Sequence, residues 1–295
     1  MPTNSHPTTA TAAYGESWYW DKRYASSSSG SGSGSESEAS FDWYQKYPSL
    51  APLLHLYIPR HHRVLVVGCG NSAFSEGMVN DGYAQVFNID ISSVVIAAMQ
   101  RKYSSCSQLK YKLKLKAFQI KKKCTICHKP QNKLMHGLRS VEETGYCAVI
   151  NSRCLDMKMD VRDMNAFEAG SFDAVVDKGT LDSILCGNNS QENAAKMLQE
   201  VGRVLKDRGI YLLITYGAPN YRLHLLRNSC SWTIKLHVIA GKLLSEETSQ
   251  CREWDLTFPV PLDDDGISTE AVLGKNPDVH YIYVCIKDKK HESTI

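Results

Sequence analysis

The chain of 295 residues has no apolar run near the roughly 18–20 residues that a membrane-spanning helix needs. Its longest apolar stretches, at 94–99 and 210–214, have the length of strand or helix cores. The first ten residues lack the basic start and apolar stretch of a secretory signal, and also the arginines of a transit peptide. We therefore expect a cytoplasmic protein without a membrane partner, in which the ten cysteines are mostly reduced thiols.

The chain also lacks a general excess of one charge, although its net charge is +3. Residues 104–155 carry eleven basic and two acidic side chains, whereas the rest of the chain carries 23 basic and 29 acidic ones. The positive charge belongs to one segment and does not indicate that the whole protein binds nucleic acid. We expect no nucleic-acid partner.

Composition divides the chain into segments of different character. Residues 1–13 read as a disordered tail, 14–24 as an aromatic segment and 25–40 as a flexible Gly/Ser linker. Residues 41–287 read as one folded domain interrupted by a basic insertion at 112–156, and 288–295 as a polar tail.

Seven short apolar runs predict strands, at 63–67, 85–90, 157–160, 171–177, 210–215, 232–238 and 280–286. Segments with helical patterning lie between the first five of them, such as 73–81 and 191–205. This alternation predicts an α/β fold with a Rossmann-like, doubly wound sheet in a single domain.

The first predicted strand ends in a glycine-containing turn, Gly68-Cys69-Gly70. Glycines let the backbone turn sharply and approach a ligand closely. The second strand ends in Asp90, about 20 residues later, where an acid binds ribose hydroxyls in Rossmann-like sheets. The pattern predicts a nucleoside ligand at the carboxyl ends of the strands.

Two nucleoside cofactors, NAD and S-adenosylmethionine, fit this pattern, and three features favour the second. Ala73 stands where a dinucleotide-binding turn has its third glycine, although alanine is tolerated there. After the third strand, Asp160 can accept from an adenine amino group while Val161 packs on the ring. After the fourth strand, the run 177–182 (DKGTLD) brings two acids and a lysine to the place where a methyl acceptor would meet a sulfonium.

Several motifs together resemble one family of enzymes. They are YWDKRY at 19–24, FDWY at 41–44, VLVVGCGNS at 64–72, NIDISSVVIAAM at 88–99, MDVRDM at 159–164 and SFDAVVDKGTLDSIL at 171–185. The chain resembles the seven-strand, S-adenosylmethionine-dependent methyltransferases of the elongation factor 1-alpha lysine methyltransferase type, in particular their short, endothelin-converting-enzyme-associated members. The likeness covers 18–24, 41–111 and 157–238, with a looser tail to 287, and implies a mostly parallel sheet whose last strand is antiparallel.

The resemblance implies roles for individual residues. Trp20, Tyr24 and Trp43 form an aromatic lid over the cofactor, and aromatic faces stabilise a sulfonium cation. Gly68, Gly70 and Asn71 form the turn beside the methionine part. Asp90 with Ile91 holds the ribose, Asp160 with Val161 holds the adenine, and Lys178 occupies a cofactor-contact position. No metal ion is implied.

The implied reaction transfers a methyl group to a lysine of a protein similar to elongation factor 1-alpha, by an enzyme that we expect to be a monomer. A lysine must first lose a proton from a reference pKa of about 10.4. We predict that Asp177 or Asp182 orients the resulting amine. A small-molecule methyltransferase and a non-catalytic scaffold with a cofactor fold remain open alternatives, since the same core handles many acceptors.

The basic insertion at 112–156 has no counterpart in the resemblance. Its removal joins QLKY to MKMDVRDM and restores an ordinary helix-to-strand connection. Our preferred interpretation is retained non-coding sequence kept in frame. A zinc site built from Cys124, Cys127, Cys147 and Cys154 is an alternative, but the wide spacing of the second pair disfavours it. An RNA-binding or nuclear-localising role for 121–123 is another alternative. A run of charges that only faces solvent is a simpler interpretation of these three residues.

Overall fold

The computed structural model describes residues 13–26, 40–103, 154–240, 255–263, 267–275 and 277–289. The predictions made for residues 1–12, for most of the Gly/Ser linker and for 104–153 lie outside the described residues. The zinc alternative falls there too, because three of its four cysteines precede Cys154. Among the described residues, no helix is long and apolar enough to span a bilayer.

The described ranges contain seven strands and eight helices. The strands are β1 Arg63–Val67, β2 Gln85–Asp90, β3 Cys154–Lys158, β4 Phe172–Lys178, β5 Leu205–Thr215, β6 Trp232–Ala240 and β7 Val279–Lys287. The helices are α1 Ser17–Ser26, α2 Tyr47–Tyr57, α3 Phe74–Asn80, α4 Ser93–Lys102, α5 Thr180–Leu185, α6 Ser190–Val204, α7 Pro219–Ser229 and α8 Ile267–Leu273.

The strands form one sheet in the order β3-β2-β1-β4-β5-β7-β6. The first five strands are parallel to one another, and β7 runs antiparallel to both β5 and β6. The direction of strand addition reverses between β1 and β4, which is where ligands bind in open α/β sheets. The predicted doubly wound, seven-strand sheet with an antiparallel last strand is confirmed.

Both faces of the sheet are buried, because side chains alternate along each strand. In β1, Leu65 and Val67 join a core with α6 and α7, while Val64 and Val66 join a second core with α2, α3 and α4. Helix α6 shows the matching pattern, since its buried residues recur at the helical period. This double burial explains why β1 and β4 read as continuous apolar runs in the sequence.

The boundaries of the third strand were predicted wrongly. β3 begins at Cys154 rather than at Met157, so it takes in the last three residues assigned to the insertion. It ends at Lys158, which pairs with Asp90 of β2. The parallel register with β2, and not the local apolar pattern, sets the extent of this strand. Asp160 therefore lies in the turn after the strand.

Candidate active site

A cleft opens at the carboxyl ends of β1, β2 and β4, beside the point where the strand order reverses. Its empty volume, counted out to the solvent-open mouth, is about 960 Å³. The cleft lining includes every residue predicted to contact the cofactor: Trp20, Tyr24, Trp43, Gly68, Gly70, Asn71, Asp90, Ile91, Asp160, Val161 and Lys178.

The turn after β1 needs its two glycines for different contacts. Gly68 and Gly70 have φ of +59° and +53°, in the left-handed region that side chains disfavour. A Cβ on Gly68 would lie 2.1 Å from the Thr180 hydroxyl oxygen, and one on Gly70 would lie 2.8 Å from the Tyr24 hydroxyl. The backbone of the turn thus forms part of the cleft wall, with no side chain in the way.

Asp90 lies at the end of β2 with only 7% of its surface exposed. Its carboxylate accepts hydrogen bonds from the backbone N–H groups of Gly70 and Ser92, both at 2.9 Å. Burial raises the pKa of Asp90 to about 6, and these donors oppose the rise. The backbone N–H of Ile91 is a third donor to this carboxylate. A carboxylate has about four acceptor positions, so Asp90 can still accept from a ligand hydroxyl.

The turn after β3 presents a second acid to the cleft. Arg162 holds Asp160 in a bidentate ion pair, with the shortest N–O distance at 2.7 Å. Val161 is buried beside them. Asp163 lies outside the cleft lining, and its backbone N–H closes the turn on the Asp160 carbonyl. The sequence analysis missed Arg162, whose position within the MDVRDM motif gave no separate signal.

Aromatic rings from two separate segments cover the cleft. Trp20 and Tyr24 of α1 stack with ring centroids 6.0 Å apart. Trp43 comes from the segment before α2, and the Arg23 guanidinium lies over both indole rings, at 5.8 Å from Trp20 and 5.5 Å from Trp43. Helix α1 is itself tied to the body of the domain, because the Asp21 carboxylate accepts from the Ser92 hydroxyl at 2.6 Å.

A buried ion pair fixes the segment that carries Trp43. The Lys178 ammonium donates to Asp42 at 3.1 Å and to the Trp43 carbonyl at 3.0 Å. The Lys178 and Asp42 side chains are only 8% and 9% exposed, and the Ser72 hydroxyl also donates to Asp42. Burial lowers the pKa of Lys178, while Asp42 opposes this effect. Lys178 thus joins the end of β4 to the segment that carries Trp43.

The two acids predicted to orient the acceptor amine lie outside the cleft lining. Asp177 is fully buried and accepts from the backbone N–H groups of Thr180 and Leu181 and from the Tyr211 hydroxyl. Burial raises its pKa to about 7. Asp177 therefore anchors the start of α5 from beneath the cleft.

Asp182 lies within the first turn of α5, in contact with Tyr44. Its carboxylate accepts from the Tyr44 hydroxyl at 2.6 Å, the Thr215 hydroxyl at 2.5 Å and the Arg222 guanidinium at 2.6 Å. Tyr44 and Arg222 are functional candidates that the sequence analysis missed. Their distance from Asp182 along the chain hides the contact.

Comparison with known proteins agrees with this geometry. A family model described as a methyltransferase domain matches residues 140–213. Human eEF1A lysine and N-terminal methyltransferase is 31% identical over 210 residues, which cover 68% of this chain and 23% of that protein. Mouse EEF1A lysine methyltransferase 4 is 27% identical over 231 residues, which cover 75% of this chain and 69% of that protein. The chain thus matches about a quarter of the length of the relatives named eEF1A lysine and N-terminal methyltransferase.

A solved structure from work on the conversion of a disulfide bond into a thioacetal group during echinomycin biosynthesis shares the fold. Its TM-score is 0.51 at 12% identity, and the match covers 92% of this chain and 93% of that one. Fold, cleft and relatives together define the chain as a member of the seven-strand, S-adenosylmethionine-dependent methyltransferases. Within that class it is similar to the eEF1A lysine methyltransferases, so the resemblance drawn from the motifs is confirmed.

Proposed function

We propose that this protein transfers a methyl group from S-adenosylmethionine to a lysine of a protein substrate similar to elongation factor 1-alpha. The observation that carries the proposal is the cleft at the carboxyl ends of β1, β2 and β4, which gathers all the residues assigned to the cofactor from separate segments of the chain. The names of the relatives support a lysine acceptor.

The chemistry of the cleft fits the parts of the cofactor. The buried Asp90 carboxylate suits the ribose hydroxyls, and Asp160 beside Val161 suits the adenine amino group and ring. Gly68 and Gly70 let the backbone of the turn line the cleft close to Thr180 and Tyr24, which suits the methionine part. The rings of Trp20 and Trp43 suit a cation, worth about 0.5–2 kcal/mol for each such contact.

When bound, S-adenosylmethionine supplies an electrophilic methyl group on its sulfonium. A neutral amine takes up this methyl group, and the products are a thioether and a protonated methylamine. The protein supplies position and a site with little water. Lys178, Asp42 and Ser72 hold the segment that carries Trp43 over the cleft. Asp177 holds the start of α5. These contacts fix the cleft walls before the reactants meet.

A protein acceptor also fits the surface beside the cleft. Tyr216 follows β5 and Tyr221 lies in the first turn of α7, and they are 60% and 63% exposed. Exposed tyrosines are typical of surfaces that bind proteins. A translation elongation factor as substrate agrees with the cytoplasmic location expected from the sequence. That location and the monomeric state remain predictions.

The test uses the full chain. Isothermal titration with S-adenosylhomocysteine should show one site, and an Asp90→Ala variant should bind much more weakly while it stays folded. Purified eEF1A should then accept a methyl group at a lysine, mapped by mass spectrometry. Absence of binding by the folded protein would overturn the proposal. Binding without methylation of eEF1A, but with turnover of small amines, would move it to the small-molecule methyltransferases.

A further inference from the structure

Beside the cleft, three rings form a cluster that the assigned cofactor contacts do not use. The Tyr44 ring lies 4.8 Å from the Tyr216 ring and 5.0 Å from the His280 ring, and the last two are 4.6 Å apart, measured between centroids. These residues come from the segment before α2, the end of β5 and the start of β7. We refer to Tyr44, Tyr216 and His280 as the ring cluster.

The ring cluster borders the cofactor cleft through Gly179. A Cβ on Gly179 would lie 3.1 Å from a ring carbon of Tyr44, so the absence of a side chain there admits the ring. Gly179 and Trp43, the residue before Tyr44, both line the cleft. The Tyr44 ring therefore lies between the cofactor cleft and the exposed Tyr216.

Tyr44 adopts a strained backbone conformation. Its φ is +64°, and the Gln45 N–H donates to the Trp43 carbonyl at 2.8 Å. A positive φ with this three-residue hydrogen bond is typical of the classic γ-turn, which is rare and strained. Such strain persists where the surroundings over-determine a conformation, and it concentrates at functional sites. The turn directs Tyr44 onto Asp182 and Gly179.

Asp182 acts on this site through Tyr44. Its carboxylate accepts from Tyr44, Thr215 and Arg222, and also from the Tyr216 backbone N–H at 3.3 Å. These four bonds use about all the acceptor positions of a carboxylate. Because the Tyr44 hydroxyl donates its proton to Asp182, its oxygen keeps lone pairs for another donor. Burial, with Asp182 beside it, also raises the pKa of Tyr44, so this group stays protonated.

His280 contributes a buried polar atom without a partner among the described residues. It is 1% exposed, and its Nε2 has no hydrogen-bond partner there. The amide nitrogen of Gln45 donates to the Ala240 carbonyl at 2.7 Å and lies 3.0 Å from the His280 Nδ1. The Ala240 carbonyl can only accept, so the group of Gln45 that faces it is the amide nitrogen. An amide nitrogen can only donate, so Nδ1 is the acceptor and the His280 proton is on Nε2. An unpaired buried N–H is costly, which marks the ring cluster as more than a packing contact.

We propose that the ring cluster is the entrance for the acceptor lysine, and that Tyr44, held by Asp182, is the residue that orients its amine. This inference rests on the proposed function. The aliphatic stem of the lysine packs on the exposed Tyr216 ring, and the amine donates one N–H to the Tyr44 oxygen. The lysine loses its extra proton to solvent beforehand, because the Tyr44 hydroxyl that faces it is already protonated.

The experiment separates the acceptor side from the cofactor side by comparing two ligands on the full chain. One is S-adenosylhomocysteine. The other is a bisubstrate compound in which the sulfur is replaced by a nitrogen that is joined through a two-carbon bridge to the amine of a lysine-like butyl chain. Calorimetry is run on the wild type, on Tyr44→Phe and on Tyr57→Phe. Tyr57→Phe is the matched control, since its hydroxyl also contacts a histidine, His237 at 3.0 Å, outside the ring cluster.

We expect the wild type to bind the bisubstrate compound more tightly than S-adenosylhomocysteine. Tyr44→Phe should reduce bisubstrate affinity about three- to tenfold, the range for one hydrogen bond, and leave S-adenosylhomocysteine affinity within about twofold. Tyr57→Phe should change neither. In turnover assays with a protein acceptor, Tyr44→Phe should lower kcat and leave the KM for the cofactor unchanged.

Other results would overturn the inference, each in a distinct way. Equal losses for both ligands in Tyr44→Phe would make the ring a structural part of the cofactor cleft. An unchanged bisubstrate affinity would remove the hydrogen bond to the amine. A wild type that binds S-adenosylhomocysteine, but binds the bisubstrate compound no more tightly, would place the acceptor elsewhere. A wild type that binds neither ligand would overturn the proposed function itself.

Discussion

The turn after β1 can be tested by adding a single methyl group. Gly68→Ala places a Cβ in the left-handed region and 2.1 Å from the Thr180 hydroxyl oxygen. That hydroxyl donates to the Val67 carbonyl at 2.9 Å, and it cannot stay there beside the new atom. Gly274→Ala is a matched control, because Gly274 has φ of +84° and no atom within 4 Å of the added Cβ.

The expected loss of stability has separate sources. The left-handed conformation costs an alanine about 1–2 kcal/mol at either position. At Gly68 the displaced Thr180 hydroxyl loses a hydrogen bond worth about 0.5–1.5 kcal/mol, and overpacking adds about 1–3 kcal/mol. Gly68→Ala should therefore lower the free energy of unfolding by about 2–4 kcal/mol more than Gly274→Ala. It should also weaken S-adenosylhomocysteine binding, since Gly68 lines the cleft.

Urea denaturation of the full chain, with binding measured in parallel, checks this prediction. Thr180→Ala provides the second half of a double-mutant cycle, because it removes the atom in closest contact with the new Cβ. On the wild-type chain it should cost about 1 kcal/mol, and on Gly68→Ala it should cost less or restore stability. The reasoning is refuted if Gly68→Ala and Gly274→Ala destabilise equally, or if the two substitutions at 68 and 180 are additive.

Three further predictions concern the proposed cofactor site. In the proposed site the ionised Asp90 accepts from ligand hydroxyls, and its pKa is about 6. Lowering the pH below 6 should therefore weaken S-adenosylhomocysteine affinity by up to tenfold per unit, as calorimetry between pH 5 and 7 can measure. Lys178→Met should destabilise the fold by about 3–5 kcal/mol, and Asp42→Asn in the same chain should recover part of that loss in urea denaturation. Trp20→Leu should weaken S-adenosylmethionine binding more than S-adenosylhomocysteine binding, by about 0.5–2 kcal/mol, because only the sulfonium gains from the indole face.

Each of these has a contrary result. An affinity that is constant from pH 7 to pH 5 would show that Asp90 does not contact the ligand through its ionised form. A double variant at 42 and 178 that is no more stable than Lys178→Met would show that the two charges do not depend on each other. Equal losses for both ligands in Trp20→Leu would assign the indole to packing rather than to the cation.

Much of the sheet could be predicted because its strands are buried on both faces. The apolar runs of β1 and β4 and the helical period of α6 are local patterns, and local patterns are visible in a sequence. β3 was placed wrongly because its extent follows from pairing with β2, which no local pattern records. The short helices α1 and α5 were missed for a similar reason, since α1 is fixed by contacts such as that of Asp21 with Ser92.

The cofactor side of the cleft was also visible in the sequence. Glycine turns and acids at strand ends, such as Gly68 and Asp90, are placed by the strands that precede them. The carboxyl ends of parallel strands meet at one edge of the sheet. The position of such a motif relative to the ligand therefore follows from the strand that precedes it in the sequence. The sequence by itself therefore determined the fold class, the kind of cofactor and the residues that line the cleft.

Only the tertiary structure decided what the acids after β4 do. Asp177 and Asp182 look equivalent in the sequence, five residues apart. In the fold, Asp177 is buried beneath the cleft, whereas Asp182 meets Tyr44, Thr215 and Arg222 from distant parts of the chain. A hydrogen bond between residues 138 positions apart produces no recognisable pattern in the sequence around either residue. The acceptor side depends on such contacts, because it forms where separate segments close over one edge of the sheet.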